Sequence, residues 1–213
     1  MRILELFSGT GSVGEVAMAM NHSVVSVDNN SKFVCTHNVD IMRLDHTSLP
    51  VPDFVWASPP CTTYSFAAIW YRHRDSEGRA LTEAAKEGDR LLHRTLEIIH
   101  FFLEKNPKLL FCIENPRGYM KKQECLQGFV RTTTSYNQYG FPVYKPTDLF
   151  TNFHLDVTGP RKKSDDLRIC GGNAIKIRER LNNTTNTNLS ILLGRIPPAL
   201  VRSILCQAET HLS

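Results

Sequence analysis

A cysteine that follows two prolines, in Ala57-Ser58-Pro59-Pro60-Cys61, and a glutamate in Glu114-Asn115-Pro116 are the side chains best suited to do chemistry in this chain. A thiolate is a strong nucleophile, and a partly desolvated carboxyl holds its proton to higher pH and can donate it. Each segment follows an apolar run, so each is expected at the carboxyl end of a strand. Two prolines stiffen the backbone ahead of Cys61, and polar Thr62, Thr63 and Tyr64 follow it. That context predicts a sulfur carried on a loop rather than sealed in a core. The plainer reading of a cysteine, a buried structural thiol, is kept for Cys112, Cys35 and Cys206. For Glu114 the plainer reading is a solvated strand-end charge paired with Arg117.

A third segment, Leu4-Glu5-Leu6-Phe7-Ser8-Gly9-Thr10-Gly11, runs from a strand into a glycine-rich turn that opens a helix. Glycines let backbone pass close to a ligand, and the first amides of a helix have no partner within it. Alone, the turn fits a plain strand-to-helix connection equally well. Asp28, at the end of the second expected strand, tips the balance, because an acidic residue there accepts the hydroxyls of a ribose. Asp40, just before Ile41, is a further acceptor for an exocyclic amine such as adenine's. Cofactor, nucleophile and acid thus follow one another along the chain.

The elements that must position these groups are legible from period and punctuation. Strands are predicted at Arg2 to Phe7, Ser23 to Val27, Asp53 to Ala57 and Leu109 to Ile113, and helices at Ser12 to Met20 and Thr82 to Lys105. In the long helix Leu92, Leu96, Ile99 and Leu103 form one stripe, which Asn106-Pro107 ends. Val130 to Tyr136 and Thr147 to Phe153 read as a hairpin closing the far edge of the sheet, and Pro197 to Gln207 as a last helix. The fold class is α/β: a Rossmann-like, mostly parallel sheet with helices on both faces and an antiparallel hairpin at one edge. Ligands collect at the carboxyl ends of such strands.

With 213 residues the chain is long enough for one well-buried core and short for two. A catalytic domain is expected over 1–153 and 189–213, with a short, basic, loop-rich segment at 154–188. Hydrophobic residues at 41% and charged residues at 22% are those of a soluble globular protein. No apolar run is expected to approach the ~20 residues that span a bilayer. The opening strand leaves no room for an export signal ahead of it, so a reducing compartment is expected. Six cysteines, at 35, 61, 112, 125, 170 and 206, show no paired zinc spacing, so free thiols and no metal are expected. A net charge of +4 leans mildly toward a polyanion. Tyr71-Arg72-His73-Arg74, Arg117 and Lys121-Lys122 flank the proposed chemistry, and Arg161-Lys162-Lys163 lies further on.

Glu5 to Gly11, Asp28, Pro59-Pro60-Cys61, Glu114-Asn115, Gln138 to Asn152 and Gly194 to Leu200 form a series that covers nearly the whole chain. In that order it resembles the cytosine carbon-5 DNA methyltransferases that use S-adenosylmethionine. The cysteine and glutamate motifs carry the resemblance, while the glycine turn is common to many methyltransferases. The resemblance implies a class I methyltransferase fold. It implies that Cys61 adds to carbon 6 of cytosine while Glu114 contacts ring nitrogen 3 and the exocyclic amine, so that carbon 5 attacks the sulfonium methyl. The base is expected flipped out of double-stranded DNA, at a cost of about a few kcal/mol.

Residue by residue, the resemblance implies a cofactor site of Phe7, Ser8, Gly9, Thr10, Gly11, Asp28, Asn29, Asp40, Ile41 and Pro59. Substrate is expected at Ser65, Asn115, Arg117, Gln138 and Lys145, under a loop from Thr62 to Arg79 that carries Tyr64, Phe66, Trp70 and Arg72. Departures from the family are Pro116 in place of a common valine, no asparagine in Gly194-Arg195-Ile196-Pro197-Pro198, and Lys145 as the nearest cation where an arginine holds the base carbonyl. The span from Phe153 to Gly194 is far shorter than a usual target-recognition domain. Sequence specificity is therefore expected to be weak, short or supplied by a protein partner. The expected protein is a soluble intracellular monomer acting at nucleoid or nucleus without a membrane, and its compactness suits a virus, phage or mobile element. RNA or a free cytidine nucleotide are alternative substrates, and a catalytically silent DNA-binding homologue is a third reading.

Overall fold

The structure, a computed structural model, describes residues 1–66, 71–159, 167–168, 179 and 189–213. Trp70, Cys170, Arg161-Lys162-Lys163 and most of the 154–188 segment lie outside the described residues. In chain order the elements are β1 (Arg2–Leu6), α1 (Ser12–Ala19), β2 (Ser23–Asp28), β3 (His37–Asn38), β4 (Phe54–Ala57), α2 (Glu83–Lys105) and β5 (Leu110–Pro116). They are followed by β6 (Val130–Ser135), β7 (Val143–Tyr144), β8 (Pro146–Thr151), β9 (Leu167–Arg168), α3 (Leu189–Gly194) and α4 (Pro198–Leu212). Among the described residues, seven strands form one sheet in the order β3-β2-β1-β4-β5-β8-β6, and β7 pairs with β9 in a separate ribbon. The run from β3 to β5 is parallel, and β8 is antiparallel to both neighbours. This is the Rossmann-like, mostly parallel sheet with an antiparallel edge that the sequence predicts.

Burial on both faces explains why the central strands are continuously apolar. Leu4 and Leu6 of β1, Val55 and Ala57 of β4, and Phe111 and Ile113 of β5 pack with Leu92, Leu96, Ile99 and Phe102 of α2. Their alternate neighbours Ile3, Phe54, Trp56 and Cys112 pack with Val13, Val16 and Ala17 of α1 and Leu200, Val201, Ile204 and Leu205 of α4. Thr82 caps α2 by accepting from the Ala85 amide at 3.3 Å.

The structure shifts several expected boundaries. The hairpin pairs β6 with β8 as read, but β8 inserts between β5 and β6, because all of Thr147 to Thr151 is buried while Val130 and Arg131 of β6 are exposed. β5 runs through Pro116, so Glu114 and Asn115 sit within the ladder, opposite Leu149 and Asp148, rather than beyond it. Ile191–Leu212 is long and apolar enough to cross a membrane, which corrects the expectation that no run approaches that length. Pro197 divides it, and the apolar side of α4 packs on α1 and the sheet. Among the cysteines read as buried, Cys112 is buried, Cys35 is half-buried, and Cys206 is exposed on the outer side of α4.

A buried knot anchors the chain just after Cys61. The Arg74 guanidinium donates to the Thr63, Gly78 and Ala85 carbonyls at 3.0–3.1 Å and pairs with Asp89 at 2.7 Å, lying 3.9 Å from the Tyr64 ring. The Tyr64 hydroxyl donates to the same Asp89 oxygen at 2.6 Å. Tyr64 is fully buried, so it belongs to the core and not to a closing loop, and Arg74 is not an available cation for a polyanion. The Tyr64 carbonyl accepts from Tyr119 at 2.7 Å, and a Cβ placed on Gly118 would lie 2.0 Å from that oxygen. Gly118→Ala is expected to displace the Cys61 loop and lower stability by about 1–3 kcal/mol, read as a fall in urea midpoint at unchanged slope.

Candidate active site

The carboxyl ends of β1, β4 and β5 open on one cavity of about 330 Å³, the scale of a small-molecule site. It is lined by Phe7, Ser8, Gly9 and Thr10 after β1, by Pro59, Pro60 and Cys61 after β4, and by Glu114 and Pro116 of β5. Lys145, Ile191, Gly194 and Ile196 complete it from the C-terminal part of the chain. Cys61, Glu114 and the glycine turn, singled out from sequence, therefore line one cavity.

The first turn is bent by three residues in the left-handed region, Phe7 at φ 59°, Gly9 at 50° and Gly11 at 74°. A Cβ at Gly9 or Gly11 would meet no atom within 4 Å, so backbone angle and not crowding calls for glycine there. Phe7 holds the same region with a full side chain, at a cost of about 1–3 kcal/mol. Asp28 ties the turn to β2, its two oxygens accepting the Gly9 and Asn30 amides, each at 2.8 Å. Ser8 is buried and, among the described residues, its Oγ has no partner, leaving a hydroxyl for a polar ligand in the cavity.

Glu5 is a cavity residue that sequence reasoning did not single out; its place in β1 beside the glycine turn was the available signal. Its Oε2 accepts the Gly14 amide at 3.1 Å, and burial pushes its carboxyl up to about 7 against the lowering by backbone hydrogen bonds. The folded chain thus holds a proton that the unfolded chain releases from about pH 4.5 upward. That contribution to stability is full below 4.5 and is lost as pH rises to about 7. Glu5→Gln keeps an acceptor for Gly14 without the charge. Its melting temperature is expected to gain on wild type between pH 5 and pH 8, by up to about 3 kcal/mol of stability; parallel curves at the two pH values would contradict this.

Asp28, Asn29, Gly11, Asp40 and Ile41 do not line the cavity, whereas Asn30, Phe33 and Ser12 do. Asp40 caps the turn Ile41–Arg43 through the Met42 amide at 2.9 Å, and Arg94 of α2 holds that turn through the Ile41 and Leu44 carbonyls at 3.1 and 2.8 Å. Ser12 binds the C-terminal segment to the same site, its Oγ accepting the Ile196 amide at 3.3 Å.

Cys61 is half-buried in the cavity wall. Burial pushes its thiol up, Lys145 pulls it back down, and the Glu114 carboxylate pushes it up again. Asn115 holds the turn in place, its Nδ2 donating to the Pro59 carbonyl at 2.8 Å, while its buried Oδ1 has no partner among the described residues. Asn115 is therefore engaged with the cysteine turn and does not line the cavity. Glu114 is buried and accepts from the Tyr136 hydroxyl at 2.7 Å, so it is not a solvated charge paired with Arg117. Tyr136 itself is fully buried, and burial, the Glu114 charge and their hydrogen bond all hold its hydroxyl protonated.

Of the other expected substrate residues, Lys145 lines the cavity, while Ser65, Arg117 and Gln138 do not. The Ser65 amide donates to the Cys61 carbonyl at 2.9 Å, Arg117 is exposed, and Gln138 lies in the turn Tyr136–Tyr139. Phe66 is 44% exposed and meets the Tyr119 ring edge-on at 5.5 Å, at the margin of the cysteine loop.

No family model matches the chain. It is 38% identical over 135 residues to a curated protein of Frog virus 3 named "Probable DNA (cytosine-5)-methyltransferase", covering 57% of this chain and 57% of that relative's length. Among solved structures it is similar to the Dnmt2 methyltransferase of S. pombe (15% identity, TM-score 0.49, 88% of this chain and 57% of that one). It is also similar to an E. coli protein whose structure is titled "putative DNA modification methyltransferase encoded within prophage" (17%, TM-score 0.43, 74% and 49%). The motif resemblance to the cytosine carbon-5 DNA methyltransferases thus extends to a curated relative.

Proposed function

We propose that this chain transfers a methyl group from S-adenosylmethionine to carbon 5 of a flipped-out cytosine in DNA, through a covalent bond to Cys61. The observation that carries the reading is one cavity shared by Cys61, Glu114 and the glycine turn. The name of the viral relative supports DNA as the polymer and methylation as the activity.

The cavity fits the methionine half of the cofactor. It offers the Ser8 hydroxyl, which has no partner among the described residues, the Glu5 carboxyl and the turn at Phe7 to Thr10, with Pro59 on the same wall. Asp28 and Asn29 at the end of β2, and Asp40 with Ile41 beyond, are the residues proposed for ribose and adenine. When bound, S-adenosylmethionine supplies an electrophilic methyl. Cys61 adds through sulfur to carbon 6 of the base, and Glu114, oriented by the Tyr136 hydroxyl, binds ring nitrogen 3 and the exocyclic amine. Lys145 lies on the same cavity and takes the base carbonyl. Once carbon 5 carries the methyl group, its proton passes to solvent and the electrons of that C–H bond re-form the 5,6 double bond as the Cys61 sulfur leaves as thiolate.

The short 154–188 span is proposed to stand in for a target-recognition domain, with sequence specificity weak, short or lent by a partner. Ser65, Arg117 and Gln138 are proposed to contact the nucleic acid outside the cavity. A soluble protein acting on DNA inside a cell completes the proposal. The test is methyl transfer to duplex DNA, RNA and cytidine triphosphate side by side, with bisulfite sequencing of the DNA product. Incorporation at cytosine in duplex DNA alone is the expected result; transfer only to RNA or nucleotide would replace the substrate, and transfer to none would remove the reading.

A further inference from the structure

Lys145 is a buried lysine, 8% exposed, on the wall of the catalytic cavity. A buried ammonium is costly unless something balances it. Among the described residues it makes no ion pair with a carboxylate. Its Nζ donates to the Leu193 carbonyl at 2.9 Å and sits 4.3 Å from the centre of the Tyr136 ring. Tyr136 in turn donates to Glu114 at 2.7 Å. One aromatic ring therefore carries the cation on its face and the carboxylate on its hydroxyl. Lys145 is held in place by a neutral carbonyl and a π face, and its charge is left for something else in the cavity.

We infer that Lys145 is the electrostatic partner of the Cys61 sulfur, stabilising the thiolate in the free enzyme before any nucleic acid arrives. This rests on the reading of Cys61 as nucleophile and adds to the base-carbonyl role already given to Lys145. Among the described residues, the ionisable groups that line the cavity with the sulfur are Glu5 of β1, Glu114 of β5 and Lys145, and the Tyr136 hydroxyl stands behind Glu114. The first two are acids and Tyr136 is held neutral, so Lys145 is the cation among them. Ionisation passes the thiol proton to solvent and leaves sulfur and ammonium as opposite charges in one low-dielectric space, where their attraction is strong. Burial and Glu114 oppose that ionisation, and Lys145 counters them.

The test needs neither DNA nor cofactor, so it is separable from methyl transfer. The free protein is treated with iodoacetamide from pH 6 to 10. Attack of the Cys61 sulfur on the reagent's methylene expels iodide, and the alkylated Cys61 peptide is quantified by mass spectrometry, which separates it from the other cysteines. Lys145→Met is expected to move the Cys61 inflection up by about one pH unit and to slow labelling at pH 7.5 about tenfold. Lys145→Arg is expected to stay within about threefold of wild type, because the charge remains. Lys145→Gln removes the charge while keeping an amide donor for Leu193, and serves should the methionine variant fail to fold. Equal labelling profiles for wild type and a folded neutral variant would overturn the assignment. An unshifted profile in a protein that methylates cytosine would sink this inference alone, and a shifted profile in one that does not would sink only the proposed function.

Discussion

Cys61→Ala is expected to lose methyl transfer to cytosine by on the order of 10⁴-fold or more, the scale seen when a covalent nucleophile is removed. Its melting temperature should stay within a few degrees of wild type, since one half-buried sulfur holds little of the core. The combination matters: Asn115 and the Arg74 knot, not the thiol, fix the turn, so its shape survives the substitution. Binding of S-adenosylmethionine should persist, because the glycine turn and Ser8 are untouched. The wild-type rate should climb with pH. Burial raises the thiol above its ordinary range, so the thiolate fraction, and with it covalent addition, increases about tenfold per pH unit below that value. Single-turnover transfer to duplex DNA between pH 6.5 and 9 reads both results.

Glu114→Gln is the second large expected loss, on the order of 10²–10⁴-fold in single-turnover rate, the usual contribution of a positioned proton-transfer group. The amide keeps the size of the side chain, so the β5–β8 ladder around it, with Leu149 opposite, is expected to hold. Affinity for DNA that lacks a target cytosine should not change. Tyr136→Phe removes the hydroxyl that orients Glu114 and is expected to cost about tenfold, as the loss of one hydrogen bond to a charged group does. Loss of DNA binding equal to the loss of rate in Glu114→Gln would make Glu114 a structural residue instead.

Much of this site was legible because its signals are local. The two prolines before Cys61, the glycines after β1 and the strand-then-acid pattern at Glu114 each sit within a few residues of one another, and alternating strands and helices bring such segments to one edge of a sheet. What escaped was made by distance along the chain. Tyr136 reaches Glu114 across 22 residues, Asn115 reaches Pro59 across 56, and Lys145 reaches Leu193 across 48. Nothing in the neighbourhood of any of these residues announces its partner. Tyr64 was misread for a related reason: polar company in the sequence suggested a surface loop, whereas Arg74, ten residues on, folds back over its ring and seals it. The position of β8 was likewise hidden, since a hairpin and an inserted strand share the same alternation until burial of both faces of Thr147 to Thr151 is seen.

The central claim is that one sulfur bonds to one pyrimidine beside a bound methyl donor. The most direct measurement is intact mass of the wild-type protein after incubation with S-adenosylmethionine and a duplex whose cytosines are replaced by 5-fluorocytosine, followed by peptide mapping. Fluorine cannot leave carbon 5 as a proton does, so a stable adduct carrying the transferred methyl group and joined through Cys61 is expected, and it should be absent from Cys61→Ala. Methyl transfer to ordinary cytosine in the same duplex with no adduct at Cys61, or with one at another cysteine, would contradict the account.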